Sequence, residues 1–211
     1  MQIDDFCKLR PFVFHTTALT NLDRIRQMRE LQCARRLIEL ATGGADSRVS
    51  EHRKFALSLQ LGSRSVVIRD QRPLAAGAIA FEVGWDLPRL VAHLNGFVFF
   101  WPGSHSGPIK SGRDHYERYR GEGENLAVLR ISTGALFELN RERPPQFSRC
   151  NSGSARCNNG QKAPRGATTF RTNEAFATTP GDVKEVVIED WAALPPATEI
   201  AMDIAGPWGP L

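Results

Sequence analysis

The stretch PFVFHTTALTNLDRIRQMRELQCARRLIELATGG (residues 11–44) decides how the fold begins. Its first seven residues are mostly apolar, aromatic or β-branched, which predicts a buried strand over residues 11–17. Thr20 or Asn21 can then cap a helix, because their side-chain oxygens accept hydrogen bonds from the first free backbone N–H groups. Apolar residues follow at helical spacing, at Leu22, Ile25, Met28, Leu31, Ala34, Leu37 and Ile38. The sequence predicts a strand followed at once by one long amphipathic helix, which ends at TGGAD (residues 42–46).

Further along, short strands and helices are interspersed. Strands are predicted at SVVIRD (65–70), GFVFFWPG (96–103), NLAVLRIST (125–133) and VKEVVIEDW (183–191), and helices at LPRLVAHLN (87–95) and DHYERYRG (114–121). Pro102 and Gly103 are expected to end the second of these strands. Residues 141–169 read as a long surface loop, and the tail from about residue 195 as irregular. The pattern predicts an α+β fold.

Composition favours a single domain spanning residues 1–211. With 41% hydrophobic residues in 211, the chain can bury one sizeable core. No apolar stretch approaches the roughly 20 residues that span a bilayer, and MQIDDFCKLR does not resemble a signal peptide, so we expect a soluble, cytoplasmic protein without membrane contact. The four cysteines are expected to be reduced. The spacing of Cys150 and Cys157 matches no usual zinc motif, so no metal site is predicted.

The formal net charge is +4 and the pI about 9.1. Many of the cationic residues fall in the second half of the chain, at Arg141, Arg143, Arg149, Arg156, Lys162, Arg165 and Arg171. This distribution permits a polyanionic partner such as nucleic acid, although a solvated basic surface has the same composition. The usual phosphate-binding glycine motifs are absent: no G-x-G-x-x-G follows a strand and no G-x-x-x-x-G-K-[ST] occurs.

The most informative pattern is FHTT (residues 14–17) followed by NLDRI (residues 21–25), a histidine at the end of a strand before a helix. It resembles the first motif of histidine-containing ADP-ribosyltransferases. The order of an N-terminal strand and helix, a mid-chain FVFF strand and a glutamate before the last strand is similar to the DarT-like branch. This resemblance implies a split β-sheet core, NAD⁺ as co-substrate, and transfer of ADP-ribose to a nucleic-acid base, with DNA favoured over RNA.

Carried over onto this sequence, the resemblance implies cofactor-binding roles near the N-terminal strand. His15 would bond the adenosine-side ribose, Thr16 and Thr17 would contact NAD⁺, and Asn21 would hold the nicotinamide-side ribose or the helix entry. Phe99, Phe100 and Trp101 fall where aromatic residues pack against the nicotinamide in that family, and we assign this role to Phe100, although plain core packing is expected for at least two of the three. Arg72, or alternatively Arg69, would pair with the pyrophosphate, since guanidinium groups match phosphate oxygens.

The transfer reaction requires a carboxylate. Cleavage of the bond between nicotinamide and ribose creates positive charge, which a carboxylate stabilises while it deprotonates the acceptor. Two candidates lie near the right place, Glu174 in TNEAFA and Glu185 in VKEVVIED, and the resemblance favours Glu174 as the catalytic residue. Glu185 and Glu189 alternate with apolar residues in the last strand, and we therefore expect them to face solvent.

Residues 149–171 precede Glu174 and correspond to the segment that recognises the acceptor in this superfamily. The segment is rich in Arg, Lys, Asn and Ser and contains no acidic residue. This composition suits a phosphate backbone and base edges, and we predict that Asn151, Arg156 and Arg165 bind the substrate. A flexible basic linker is the alternative.

Two other functions fit the same sequence. The acceptor could be a protein or a small molecule, or the chain could be a basic nucleic-acid-binding module without catalysis. A transferase of the DarT-like kind would also be expected to have an antitoxin or hydrolase partner.

Overall fold

The computed structural model describes residues 1–154 and 164–211, and the backbone of residues 156–157 and 161–162. The helices in these ranges are α1 (Ile3–Leu9), α2 (Leu22–Met28), α3 (Ala34–Thr42), α4 (Leu87–Asn95), α5 (Lys110–Gly121) and α6 (Thr133–Leu139). The strands are β1 (Phe12–Ala18), β2 (Glu30–Gln32), β3 (Leu57–Leu61), β4 (Arg64–Ile68), β5 (Ala80–Phe81), β6 (Phe97–Ser104), β7 (Gly107–Pro108), β8 (Leu126–Ser132), β9 (Gln146–Ser148), β10 (Arg156–Cys157), β11 (Gln161–Lys162), β12 (Pro164–Arg165), β13 (Glu185–Glu189), β14 (Trp191–Ala193), β15 (Glu199–Ala201) and β16 (Gly209–Pro210). The fold is α+β, as the sequence predicts. Among the described residues, no helix is both long and apolar enough to cross a membrane.

One antiparallel sheet organises the molecule. Its strand order is β16-β15-β8-β1-β6-β13-β9, and β7 adds to β6 as a hairpin. β1 and β8 pair along seven residues, from Phe12 opposite Ser132 to Ala18 opposite Leu126. β6 pairs with β13 from Phe97 to Phe100. The central strands are buried along most of their length, so they carry the core.

The pairing between β1 and β6 is short. It covers only three residues of β1, ending with Phe14 opposite Trp101. Past Phe14, β1 pairs only with β8, and before Trp101, β6 pairs only with β13. The two halves of the sheet therefore separate between β1 and β6, and we call this opening the cleft.

Helices cover both faces of the sheet. On one face, α1, α2 and α6 pack through Phe6, Ile25 and Leu136 against inward residues of β1, β6, β8 and β13. On the other face, α5 packs through Tyr116 and Tyr119 against β1 and β8, whereas α4 packs against β6 and β13. Because β13 is covered on both sides, its three consecutive apolar residues Val186–Val187–Ile188 are all buried.

Three predictions about the elements are wrong in detail. The long helix is broken at Arg29, which adopts a left-handed conformation (φ 52°), and the following residues form β2, paired with β14. β6 continues through Pro102 and Gly103: β13 reaches only to Phe100, so the missing N–H of Pro102 leaves no gap in that ladder. The tail is not irregular but adds β15 and β16 to the sheet, where Glu199 accepts two hydrogen bonds from Arg130 at 2.7 and 2.8 Å.

We predict that Gly103→Ala destabilises the fold by about 2 kcal/mol, because a methyl group there would overpack a close strand crossing. Its Cβ would lie 2.6 Å from Phe14 Cε2 and 2.7 Å from Pro108 Cα. Gly134→Ala in α6 is the matched control, since its Cβ would meet no atom within 4 Å, and it should leave the stability unchanged or raise it slightly. Urea unfolding of both variants measures the difference, and equal midpoints would contradict the crowding.

Candidate functional site

A cavity of about 620 Å³ opens at the cleft, a volume typical of sites for small ligands and cofactors. β1 contributes His15, Thr16 and Thr17 to its wall, and β6 contributes Phe99 and Trp101. The end of β4, one face of α5 and the segment between β9 and β13 also line it, together with parts of α2, β2, α3 and α4. Because β1 has no strand partner on this side beyond Phe14, part of its backbone edge faces the cavity.

His15 bridges the two halves of the sheet. Its Nδ1 lies 2.9 Å from the carbonyl oxygen of Phe99, and because a carbonyl can only accept, Nδ1 carries the proton. Burial lowers the pKa of His15 to about 4, against a smaller upward effect of this hydrogen bond, so the imidazole is neutral at physiological pH. The neutral ring keeps Nε2 as a hydrogen-bond acceptor. This arrangement suits a ligand hydroxyl.

Glu185 lines the same cavity from the first position of β13. Its side chain is buried, and one carboxylate oxygen accepts the backbone N–H of Ser152 at 2.9 Å. Burial raises the pKa of Glu185 to about 7, although the hydrogen bonds from Ser152 and the charge of Arg165 oppose the shift. The expectation that Glu185 faces solvent is wrong. It assumed that one face of the strand is exposed to solvent, whereas at Glu185 both faces of β13 are covered by other parts of the protein.

Glu174, the predicted catalytic residue, lies outside the cavity. It is exposed in the turn before β13 and does not line the cavity. Hydrogen bonds within its own turn, including one from Thr172, hold the pKa of Glu174 below its ordinary value. The structure thus brings Glu185, and not Glu174, into the same cavity as His15.

Buried arginines form a second part of the wall. Arg69 follows β4, lies over the ring of Tyr119 at 4.5 Å and points Nη1 at His115 Nε2, 3.3 Å away. Its Nε is 3.9 Å from Glu124, but Nε and Nη2 have no hydrogen-bond partner among the described residues. Burial, and then the charge of Arg69, lower the pKa of His115 to about 3, so this imidazole is neutral.

Arg53 adds a further cation beside Arg69. Its Nε donates to the carbonyl oxygen of Arg69 at 3.0 Å and its Nη2 to Asn95 Oδ1 at 2.9 Å, whereas Nη1 has no hydrogen-bond partner in the described part of the chain. Burial lowers the pKa of Arg53 to about 10, which leaves it charged at neutral pH. Two adjacent, partly buried guanidinium groups with unused buried donors favour an anionic ligand.

Several predicted cofactor residues lie outside the cavity. Arg72 is exposed and is held by ion pairs with Asp70, at 3.0 Å, and with Glu122. Arg69, three residues earlier in the chain, lines the cavity wall instead. Phe100 is fully buried on the face of the sheet that packs against α1, α2 and α6. Phe99 and Trp101, in contrast, line the cavity. The alternation of a strand explains this difference, because neighbouring residues point to opposite faces.

Asn21 lines the cavity, but its amide is already engaged. Its Nδ2 donates to Thr17 Oγ1 and to the carbonyl of Val67, each at 2.9 Å, and its Oδ1 accepts the Val67 N–H at 2.8 Å. These bonds attach the β3–β4 hairpin to the end of β1. The residue positions a wall of the cavity, a role that a capping pattern alone could not reveal.

The predicted acceptor-binding residues separate into three groups. Asn151 lines the cavity beside Glu185. Arg165 is only 2% exposed and donates to the carbonyl oxygens of Asn151 at 3.4 Å and Ser154 at 3.1 Å, so it lies inside the protein and not on a surface loop. The side chain of Arg156 lies outside the described residues. Cys150 forms a disulfide bond, which corrects the expectation of reduced thiols at this position, whereas Cys7 and Cys33 are free.

The match to a family model covers residues 11–198, which include every wall of the cavity. The chain belongs to DUF7002, a family of unknown function. No curated protein matches the sequence. For this DUF7002 member, the cavity and its side chains are therefore the basis on which function must be argued.

Burial of Glu185 predicts a specific pH dependence of stability. Its folded pKa, about 7, is above the ordinary 4.5. Protonated Glu185 therefore stabilises the fold at low pH, and this contribution is lost as pH rises from about 4.5 to 7. Glu185→Gln has no charge to bury, so relative to the wild type it should gain about 2–3 kcal/mol between pH 5 and pH 8.

Urea unfolding at both pH values measures this gain. Glu189→Gln, which removes an exposed carboxylate from the same strand, is the matched control and should show a much smaller change. If the free energy of unfolding changed equally with pH in Glu185→Gln and the wild type, burial would not raise the pKa of Glu185 and the prediction would be wrong.

Proposed function

We propose that this DUF7002 member is an NAD⁺-dependent ADP-ribosyltransferase whose co-substrate occupies the cleft. The observation that carries the proposal is the meeting of His15, a neutral acceptor at the end of β1, and Glu185, a buried carboxylate at the start of β13, in one cavity. The resemblance of the FHTT and NLDRI motifs to histidine-containing ADP-ribosyltransferases led to His15. The second member of the pair comes from the geometry.

The β1 side of the cleft suits the nucleoside parts of NAD⁺. His15 Nε2 is available to accept a hydrogen bond from a ribose hydroxyl, and Thr16 and Thr17 lie next to it. A primary carboxamide carries both donors and acceptors, which complement an unpaired strand edge such as that of β1 beyond Phe14. Phe99 and Trp101 offer aromatic surface on the opposite side for the nicotinamide ring.

The arginine side suits the pyrophosphate. Arg69 and Arg53 have hydrogen-bond donors that no described residue uses, and both line the cavity. Phosphate oxygens would satisfy these donors and would offset the cost of keeping two guanidinium groups buried. Of the two arginines that the sequence offered for this role, Arg69 lines the cavity and Arg72 does not.

Glu185 is the carboxylate that we assign to catalysis. When ionised, it stabilises the positive charge that develops on the ribose as nicotinamide leaves with the electrons of the broken bond. It then accepts the proton that the acceptor loses on bonding to the ribose carbon. A pKa near 7 suits this task, because a base of that strength is available in part at neutral pH and still holds the proton that it takes.

For the acceptor we favour a nucleic acid. Arg149 and Lys184 line the cavity beside Glu185, and Lys184 is its direct neighbour in the chain. Two cations in the same cavity wall favour an acceptor that carries phosphates. Asn151, in the same part of the wall, can hydrogen-bond to a base edge. A protein or small-molecule acceptor remains the alternative, and the test below separates these classes.

Glu185→Gln should lower the rate of ADP-ribose transfer by roughly 10²-fold or more, because the amide keeps the shape but has no negative charge. Binding of NAD⁺ should be nearly unchanged. Glu174→Gln is the matched control, since it makes the same change in an exposed turn, and it should transfer at a rate close to that of the wild type. Single-turnover transfer at saturating NAD⁺ measures both variants. A normal rate in Glu185→Gln together with a loss in Glu174→Gln would return the catalytic role to Glu174.

Labelled NAD⁺ incubated with separate pools of single-stranded DNA, duplex DNA, RNA, protein and a small-molecule cell extract should label a nucleic-acid pool. Replacing both Arg149 and Lys184 by Ala should raise the KM for that acceptor and flatten its dependence on salt, with NAD⁺ affinity retained. The double variant Lys8→Ala, Lys54→Ala is the control for net charge, because both lysines are exposed and lie outside the cavity wall. Label on protein alone would contradict the nucleic-acid acceptor, and no label in any pool would contradict the transferase.

A further inference from the structure

Arg165 has one of the largest fully buried side chains in the described part of the protein. Burial lowers its pKa, with the charge of Glu185 acting in the opposite direction. Taking a guanidinium group out of water is costly unless its donors and its charge are used. The position of Arg165 therefore calls for a function inside the protein, since a solvent-facing role in binding a polyanion would require an exposed side chain.

The Nη2 group of Arg165 binds the two ends of one turn, residues 151–154. Nη2 donates to the carbonyl oxygens of Asn151 and Ser154, and the Ser154 N–H closes the turn onto the Asn151 oxygen at 3.0 Å. The Ser152 N–H, between those two ends, donates to the Glu185 carboxylate at 2.9 Å. Arg165 thus binds the carbonyl oxygens of the turn, while a backbone N–H of the same turn binds Glu185.

The strand next to Glu185 anchors the same turn. Ser148 in β9 pairs directly with Glu185 in β13, and its hydroxyl accepts the Cys150 N–H at 3.1 Å. The chain from Ser148 to Ser154 therefore begins at the partner strand of Glu185 and ends at the clamp of Arg165. A loss of Arg165 would remove the hydrogen bonds to Asn151 and Ser154, which flank the Ser152 donor.

Arg165 also acts on Glu185 by charge. Its positive charge favours the ionised carboxylate and opposes the effect of burial. The cations that line this part of the cavity are Arg149, from the segment after β9, and Lys184, which precedes β13, while neutral His15 faces the cavity from β1. Arg165 differs from them because it alone both holds the turn and acts on the carboxylate from its buried side.

We infer that Arg165 is a positioning residue for the transfer reaction, which holds the turn of residues 151–154 so that Glu185 stays in place and ionises. This inference rests on the proposed function of Glu185. It assigns Arg165 no contact with the acceptor.

The test compares Arg165→Met, which removes the charge and the donors, with Arg165→Lys, which keeps the charge. In the pH profile of single-turnover transfer, the midpoint of the acid limb should shift to higher pH, by about one unit in Arg165→Met and by less in Arg165→Lys. NAD⁺ affinity and the acceptor KM should stay within about twofold of the wild type. Arg141→Met, which removes an exposed cation, is the matched control and should leave the profile unchanged.

A second readout does not depend on activity. NMR titration of carboxyl-¹³C-labelled glutamate, with the Glu185 signal assigned from its absence in Glu185→Gln, should show a higher Glu185 pKa in Arg165→Lys or Arg165→Met than in the wild type. If the wild type transfers no ADP-ribose, the proposed function fails, while this titration still decides the coupling of Arg165 to Glu185. An unchanged Glu185 titration in a folded variant, or a raised acceptor KM with an unshifted pH profile, would overturn the inference. If Arg165→Met does not fold, the Arg165→Lys comparison carries the test.

Discussion

The bond between His15 Nδ1 and the Phe99 carbonyl spans the place where β1 and β6 part, and the cavity depends on that separation. Full pairing of the two strands would close the sheet and leave no cleft. Only three residues of β1 pair with β6, and past them the imidazole supplies the link between the halves. The same bond fixes the imidazole tautomer, so one interaction both holds the opening and prepares Nε2 to accept a ligand hydroxyl.

Around this opening the protein keeps several charged groups away from water. Burial shifts the pKa of Glu185, Arg53, Arg69 and Arg165 in the direction that disfavours the charged form. Such groups lower the stability of a fold unless a ligand or a partner charge compensates them. Glu185, Arg53 and Arg69 line the cavity itself, and Arg165 lies behind it on the turn that binds Glu185. Functional sites are where proteins retain such costs.

The errors in reading the elements share a physical cause. A helical pattern runs unbroken from Leu22 to Ile38, yet the chain turns at Arg29 because residues 30–32 gain a strand partner in β14. The tail contains four prolines after residue 194, yet it joins the sheet because β8 offers an open edge and Arg130 binds Glu199. In both places a partner distant in sequence outweighed the local preference.

The sequence by itself determined the α+β class, the strand that carries His15 and the positions of β8 and β13, because runs of apolar and β-branched residues set these locally. It also indicated His15, Thr16, Thr17 and Asn151, all of which line the cavity. Only the tertiary structure placed Glu185, and not Glu174, in the cavity wall and put Arg165 inside the protein. Alternation along β13 indicates which residues share a face but not whether that face is wet, and here both faces are covered by other parts of the chain. Burial of Glu185 and Arg165 is a property of segments brought together from across the sequence, so no local pattern could show it.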